Sequence, residues 1–130
     1  MKVDFHVTPE FKRMAKTLAK KYKSFATDYD KFLNDLEDDP MQGISLGSGV
    51  YKVRMAIASK GKGKSGGARV LIYHVSKLTD EILNISLLTI YDKSEIDNVS
   101  DAYINQIIKQ VNSDSCRSQY ITHNEKVLLR

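Results

Sequence analysis

The chain of 130 residues has no tryptophan, a single cysteine and two prolines. The lone Cys116 excludes an internal disulfide framework and fits a reducing compartment. No apolar run approaches the ~20 residues needed to span a bilayer. The opening Met1-Lys2-Val3-Asp4-Phe5-His6 places an acid where a secretory signal needs an apolar stretch. A cytoplasmic location without membrane contact is therefore expected. His6, His74 and His123 are isolated from one another and lack metal-ligand spacing, so no metal and no small-molecule cofactor is expected. One absence carries more than the others. From Met41 to Thr79 there is no Asp or Glu, yet the segment holds Lys52, Arg54, Lys60, Lys62, Lys64, Arg69 and Lys77. Asp28, Asp30, Asp35, Glu37, Asp38 and Asp39 come just before it. A cationic segment of this kind repels itself unless a polyanion supplies the countercharge, which points to phosphates.

The rest of the composition is ordinary for one soluble domain: 42% hydrophobic, 28% charged, net charge +4. Lys2 to Val7 alternates and reads as a strand. Thr8-Pro9-Glu10 supplies a capping hydroxyl and a proline at the first helical position. Phe11, Met14, Ala15, Leu18, Ala19 and Tyr22 then form one apolar stripe, with lysines and an arginine opposite. A second helix begins near Ser24 to Thr27, carries Phe25, Tyr29, Phe32, Leu33 and Leu36 inward, and ends by Asp39 because Pro40 follows. Met41 to Gly49 is a loop with a short edge strand near Ile44 to Leu46. Val50 to Ala58, Ala68 to Val75 and Ile82 to Tyr91 alternate or are rich in Val, Ile, Leu and Tyr, and read as three strands. Ser100-Asp101 caps a last helix bearing Ile104, Ile107, Ile108 and Val111. The order β-α-α-β-β-β-α describes an α+β domain, a small antiparallel sheet with the helices on one face. Residues 1–111 form this domain, and 112–130 a C-terminal extension that is an edge strand or a loosely held tail.

Gly61-Lys62-Gly63-Lys64-Ser65-Gly66 matches the dinucleotide pattern GxGxxG literally, but a strand follows it where that motif needs a helix N-terminus. A flexible hairpin turn carrying lysines is the better description. Strand parity places Lys52 and Arg54 on one face. Arg69 shares its face with Leu71 and Tyr73, and Val53, Met55, Ile57, Val70 and Ile72 point to the helices. Lys52, Arg54 and Arg69 are then left on the opposite, open face, within reach of Tyr91 and Lys93 at the end of the last strand. Such a surface suits a nucleic-acid backbone. It also suits chemistry, since arginine clamps a phosphate bidentately and clustered cations lower the pKa of a neighbouring lysine.

The segment Gly61-Lys62-Gly63-Lys64-Ser65-Gly66-Gly67-Ala68-Arg69-Val70-Leu71-Ile72-Tyr73, followed by Leu87-Leu88-Thr89-Ile90-Tyr91-Asp92-Lys93-Ser94-Glu95, resembles the HigB branch of the RelE/ParE toxin superfamily. The resemblance spans roughly Lys2 to Val111 and agrees with the order of elements above. It implies a RelE-like fold and the toxin of a toxin–antitoxin pair, an endoribonuclease that cleaves mRNA in the ribosomal A site. Its partners would be the ribosome, mRNA and a cognate antitoxin, a small helix-turn-helix protein of HigA type. Relatives carry two basic residues on the strand before the loop, an arginine after it and a basic residue after the last core strand. These fall on Lys52, Arg54, Arg69 and Lys93, and Tyr91 matches the tyrosine of the Tyr-x-Lys segment. Arg69 would stabilise charge on the phosphate, Lys52 and Arg54 would orient the backbone, and Lys93 or Tyr91 would move protons. Lys60, Lys62 and Lys64 would grip ribosomal RNA or mRNA. Two other readings stay open at this point: a ParE-like inhibitor of DNA gyrase on the same fold, and an RNA-binding module without catalysis.

Overall fold

The computed structural model describes residues 2–61, 63, 66–75, 82–96, 98–113 and 119–121. It is an α+β fold with strands β1 (Lys2–Val7), β2 (Ile44–Gly47), β3 (Val50–Met55), β4 (Ala68–Val75), β5 (Ile82–Asp92) and β6 (Gln119–Ile121). Its helices are α1 (Pro9–Lys21), α2 (Phe25–Asp38) and α3 (Asp101–Ser113). The sheet order is β2-β3-β4-β5-β1-β6.

Local chemistry starts and stops the helices. The Thr8 hydroxyl accepts from the Phe11 amide at 2.9 Å, and Pro9 occupies the first turn of α1. The same hydroxyl donates to the Leu88 carbonyl at 2.8 Å, so the cap also ties α1 to β5. At its other end α2 stops at Asp39, before Pro40. Phe11, Ala15 and Leu18 from α1 and Phe25, Tyr29, Phe32, Leu33 and Leu36 from α2 are buried against one sheet face. That face supplies Val3, Phe5 and Val7 from β1 together with Val53, Val70, Ile72, Ile85 and Leu87.

Three details depart from the sequence reading. First, the sheet is mixed. The pairs β2–β3, β3–β4 and β4–β5 are antiparallel, but β1 runs parallel to β5 with Val7 opposite Leu87. Short joints dictate antiparallel neighbours only for consecutive strands, and β1 returns to the sheet from the far side of two helices. Second, the helices do not share one face. Ile104 and Ile107 of α3 pack with Val50, Leu71, Leu88 and Tyr91 on the face opposite α1 and α2. Val50 and Leu71 are apolar residues in phase with the cations, and α3 takes them out of water. Third, β3 ends at Met55, short of Ala58. Ala58–Lys60 instead form a 3-10 turn docked on the start of α2, where Asp28 accepts from the Ala58 amide at 2.9 Å.

A β-bulge divides β5. Leu71 is paired with Thr89 and Ile72 with Leu87, which leaves Leu88 as the extra residue. Parity flips there: Ile85 and Leu87 join the α1/α2 core below the bulge and Ile90 joins it above. Leu88 and Tyr91 turn to the α3 side. The carbonyl of the bulged residue is the one that the Thr8 hydroxyl satisfies.

Candidate functional site

Three strands bring one row of side chains together. Arg54 of β3 is the direct partner of Arg69 on β4, and Arg69 is in turn the partner of Tyr91 on β5. Directly paired residues point to the same side of a sheet, with their Cβ atoms about 5 Å apart. Two guanidinium groups and a phenol are therefore adjacent on the face opposite the α1/α2 core. Arg54 is exposed, Arg69 is 7% exposed and donates to the Ala68 carbonyl at 3.3 Å, and Tyr91 is buried.

An open cavity of about 450 Å³ adjoins this row. Lys52, Arg54, Arg69 and Lys93 line it, together with Gln42, Gly43 and Ile44 from the approach to β2. Four of the five residues predicted to carry chemistry thus share one concavity. Tyr91 does not line it. It borders a neighbouring cavity of about 280 Å³ with Lys52, Leu71 and Ile104, and Lys52 is common to both. The Lys52 ammonium lies 3.4 Å from Asn98 Oδ1. Burial pushes the Tyr91 phenol above its ordinary pKa, and the charge on Arg69 opposes this without cancelling it. The phenol is therefore neutral near pH 7, fit to donate a proton and poorly fit to accept one.

One glycine lines the cavity and a second lets the neighbouring loop close on β3. Gly43 has φ +104°, and a Cβ there would meet the Lys52 carbonyl oxygen at 2.7 Å. At Gly67 a Cβ would lie 2.1 Å from the Met55 carbonyl oxygen, so only glycine lets the loop return against β3. The Gly67 carbonyl accepts from the Lys93 amide at 3.1 Å, which joins the backbone of Lys93 to the residue two before Arg69.

Asp92 is the residue that sequence reasoning missed. It is 3% exposed. Its Oδ1 accepts from Lys60 Nζ at 2.6 Å and from the Ser94 amide and hydroxyl at 2.9 and 2.7 Å. Its Oδ2 accepts from the Tyr22 hydroxyl at 2.5 Å, and Lys21 is 3.7 Å away. Burial alone would raise this carboxyl, but the bonds from Lys60, Tyr22 and Ser94 outweigh it and hold the group well below the usual carboxylate range. The carboxylate braces the 3-10 turn, the end of α1 and the Lys93 turn against one another. Asp-x-Ser, a carboxylate two residues before a hydroxyl in a turn, was the available signal.

This bracket changes the place of Lys60. The sequence reading put it on a flexible grip with Lys62 and Lys64, yet its side chain is 7% exposed and is ion-paired inside the protein. Lys62 and Lys64 lie outside the described residues, as does His123. His74 behaves as a packed residue, its ring 4.6 Å from that of Tyr51. Burial lowers its pKa and a bond to the Pro40 carbonyl opposes the shift. His6 bonds Asn84 Oδ1 at 3.0 Å. A second polar network holds α3 in place: the Tyr103 hydroxyl donates to Glu10 and lies 3.1 Å from Thr89 Oγ1.

The arrangement is a cationic concavity lined by two cross-strand arginines and two lysines, with a neutral phenol at the adjoining cavity. It matches an anion of phosphodiester size and offers donors where charge would grow. Compared with known families, the chain matches, over residues 5–120, the family model described as RelE toxin of RelE / RelB toxin-antitoxin system.

Proposed function

The chain belongs to the RelE toxin family and is the toxin of a toxin–antitoxin system, and from that premise we propose that it cleaves mRNA on the translating ribosome. The observation that carries this reading is the convergence of Lys52, Arg54, Arg69 and Lys93 on one open cavity. In the proposed reaction the ribose 2′-oxygen forms a bond to the adjacent phosphorus as the bond to the 5′-oxygen breaks. The products are a 2′,3′-cyclic phosphate and a free 5′-hydroxyl. One proton leaves the attacking 2′-hydroxyl and one is delivered to the departing 5′-oxygen. Arg69 and Arg54 donate to the non-bridging oxygens, whose charge grows in the transition state. Lys52 orients the backbone, and Lys93 or Tyr91 moves protons. The neutral state of Tyr91 assigns it to the leaving group if it is the carrier.

The reading places the protein in the cytoplasm with ribosome and mRNA as its targets, and with a HigA-like helix-turn-helix antitoxin as its silencer. Lys62 and Lys64 are proposed as ribosome or mRNA contacts. Lys60 would join them only by leaving Asp92.

The test is induction in a bacterium with mRNA 5′ ends mapped, with and without translation. Cuts that require translation and vanish in Arg69→Ala and Lys93→Ala support the reading. DNA damage without cuts would instead identify a gyrase poison. Absence of both would reduce the site to RNA binding.

A further inference from the structure

Asp92 stands between Tyr91 and Lys93, the two candidate proton carriers. Tyr91 packs on the α3 side of the sheet, while the Asp92 carboxylate is buried on the other side against Tyr22 of α1 and Lys60. β5 ends at Asp92, so Lys93 is the first residue that the β4–β5 ladder does not hold. Its amide bond to the Gly67 carbonyl is one anchor. Asp92 supplies the others. Its carbonyl accepts from the Glu95 and Ile96 amides, both at 3.0 Å, and its Oδ1 accepts from the Ser94 amide and hydroxyl. Together these bonds close the turn that carries Lys93.

Ser94 alone would shape such a turn, since an aspartate that bonds the backbone two residues on needs no other partner. Two further donors come from distant parts of the chain. Lys60 lies 32 residues before Asp92 and Tyr22 lies 70 before it, and each bonds a different carboxylate oxygen. They fix where the turn sits against the 3-10 turn and the end of α1. A buried ion pair adds little net stability over an apolar pair of the same size, so stability alone is a poor account of it. Geometry is a better one. A lysine carries its ammonium on a flexible four-carbon stem, and a displacement of about 1 Å in an active site can cost about a hundredfold in rate.

We infer that Asp92 is a positioning residue of the active site: tied to Lys60, Tyr22 and Ser94, it fixes the turn from which Lys93 reaches the phosphate cavity. Buried on the opposite face, the carboxylate acts through Lys93 and not on the phosphate itself. Lys93 lines the cavity with Arg54 and Arg69, so a shift of its backbone moves one cation relative to the other two. The kinetic consequence rests on the ribonuclease reading, whereas the structural one rests on the hydrogen bonds.

The experiment uses the full chain, ribosomes programmed with a short mRNA, and a temperature at which denaturation curves show every variant folded. Asp92→Asn/Lys60→Met is the decisive variant, because it replaces the ionic pair without restoring the bonds that place the turn. Its maximal single-turnover rate should fall about thirtyfold, with half-saturation by ribosomes changed by no more than about twofold. Adding both substitutions to Lys93→Ala should lower the residual rate of that variant by no more than about twofold, since residues that act through one another are not additive. A wild-type rate in Asp92→Asn/Lys60→Met overturns the inference, as do losses that multiply with that of Lys93→Ala. Amide exchange at Lys93, measured without ribosomes, should quicken about tenfold or more in Asp92→Asn/Lys60→Met while exchange in β1 stays the same. Unchanged exchange at Lys93 overturns the inference as well. A chain that cuts no mRNA yet loosens at Lys93 sinks the ribonuclease reading and supports the placement of the turn by Asp92.

Discussion

Arg54 and Arg69 are direct partners across β3 and β4, two guanidinium groups set side by side with one of them buried. Like charges at directly opposed positions weaken a sheet. The pair is thus a cost in the free protein that a bound phosphate would offset. Arg54→Thr should raise stability by about 0.5 kcal/mol, since it removes the repulsion and leaves a good strand former. Cleavage should fall by about a hundredfold for want of one donor to the phosphate. Chemical denaturation and mRNA cleavage of the same preparation check both. A less stable Arg54→Thr would mean that the two groups are not in conflict.

Inorganic phosphate should stabilise the free chain more than chloride at equal ionic strength, because an anion held by the folded state alone raises its melting temperature. The gain should shrink in Arg54→Thr and vanish in Arg54→Thr/Arg69→Gln. Thermal melts across a phosphate series decide this, and an equal gain in all three proteins would place the anion elsewhere.

Asp92→Asn should cost about 3 kcal/mol, because it strands a buried lysine without its countercharge. That corresponds to a fall in Tm on the order of 10 °C. Lys60→Met added to it should recover much of the loss, as an apolar pair replaces a half-broken ionic one. The acid limb should change too. The Asp92 pKa is depressed in the fold, so its contribution is complete above the unfolded value near ~3.9 and drains away as pH falls below it. Denaturation between neutral pH and strong acid should show a shallower decline in Asp92→Asn.

Three tyrosines should titrate late. Burial raises Tyr29, Tyr91 and Tyr103, with the bond to Glu10 adding to the shift at Tyr103 and the charge on Arg69 opposing it at Tyr91. Unfolded phenols release protons near ~10 while these hold theirs, so the unfolded state binds fewer protons and stability falls as pH rises above that value. Tyr29→Phe should flatten that decline. It should also leave neutral stability unchanged or raise it by up to about 1 kcal/mol, because the Tyr29 hydroxyl is buried without a hydrogen-bond partner in the described structure. Urea unfolding at several alkaline pH values tests both statements.

Much of the fold was legible because strand and helix periods separate cleanly in this chain. Ala68–Val75 was predicted with its observed bounds, and the capping Thr8-Pro9 pair and the stop at Asp39 were equally local signals. Parity was enough to place Lys52, Arg54 and Arg69 on one face, and the register confirms that grouping. Non-local facts were not legible. Nothing near Lys2 announces a parallel partner eighty residues away, and nothing in the apolar stripe of α3 says which face of the sheet it will cover. Lys60 was misplaced because a lysine beside glycines reads as solvated, while its partner Asp92 lies 32 residues further on, at the end of β5.

The extra residue Leu88 sets the phase of everything after it in β5. Were Leu88 instead drawn into the ladder as an ordinary paired residue, strict alternation from Leu87 would carry Ile90 to the cationic side and drive the Tyr91 ring into the hydrocarbon interior. The strand would still be a strand, and its composition would still look right. The reactive face would have lost its phenol. Close relatives of this chain can therefore differ in active-site chemistry through the register of one strand alone, with every nominal site residue still spelled out in the sequence.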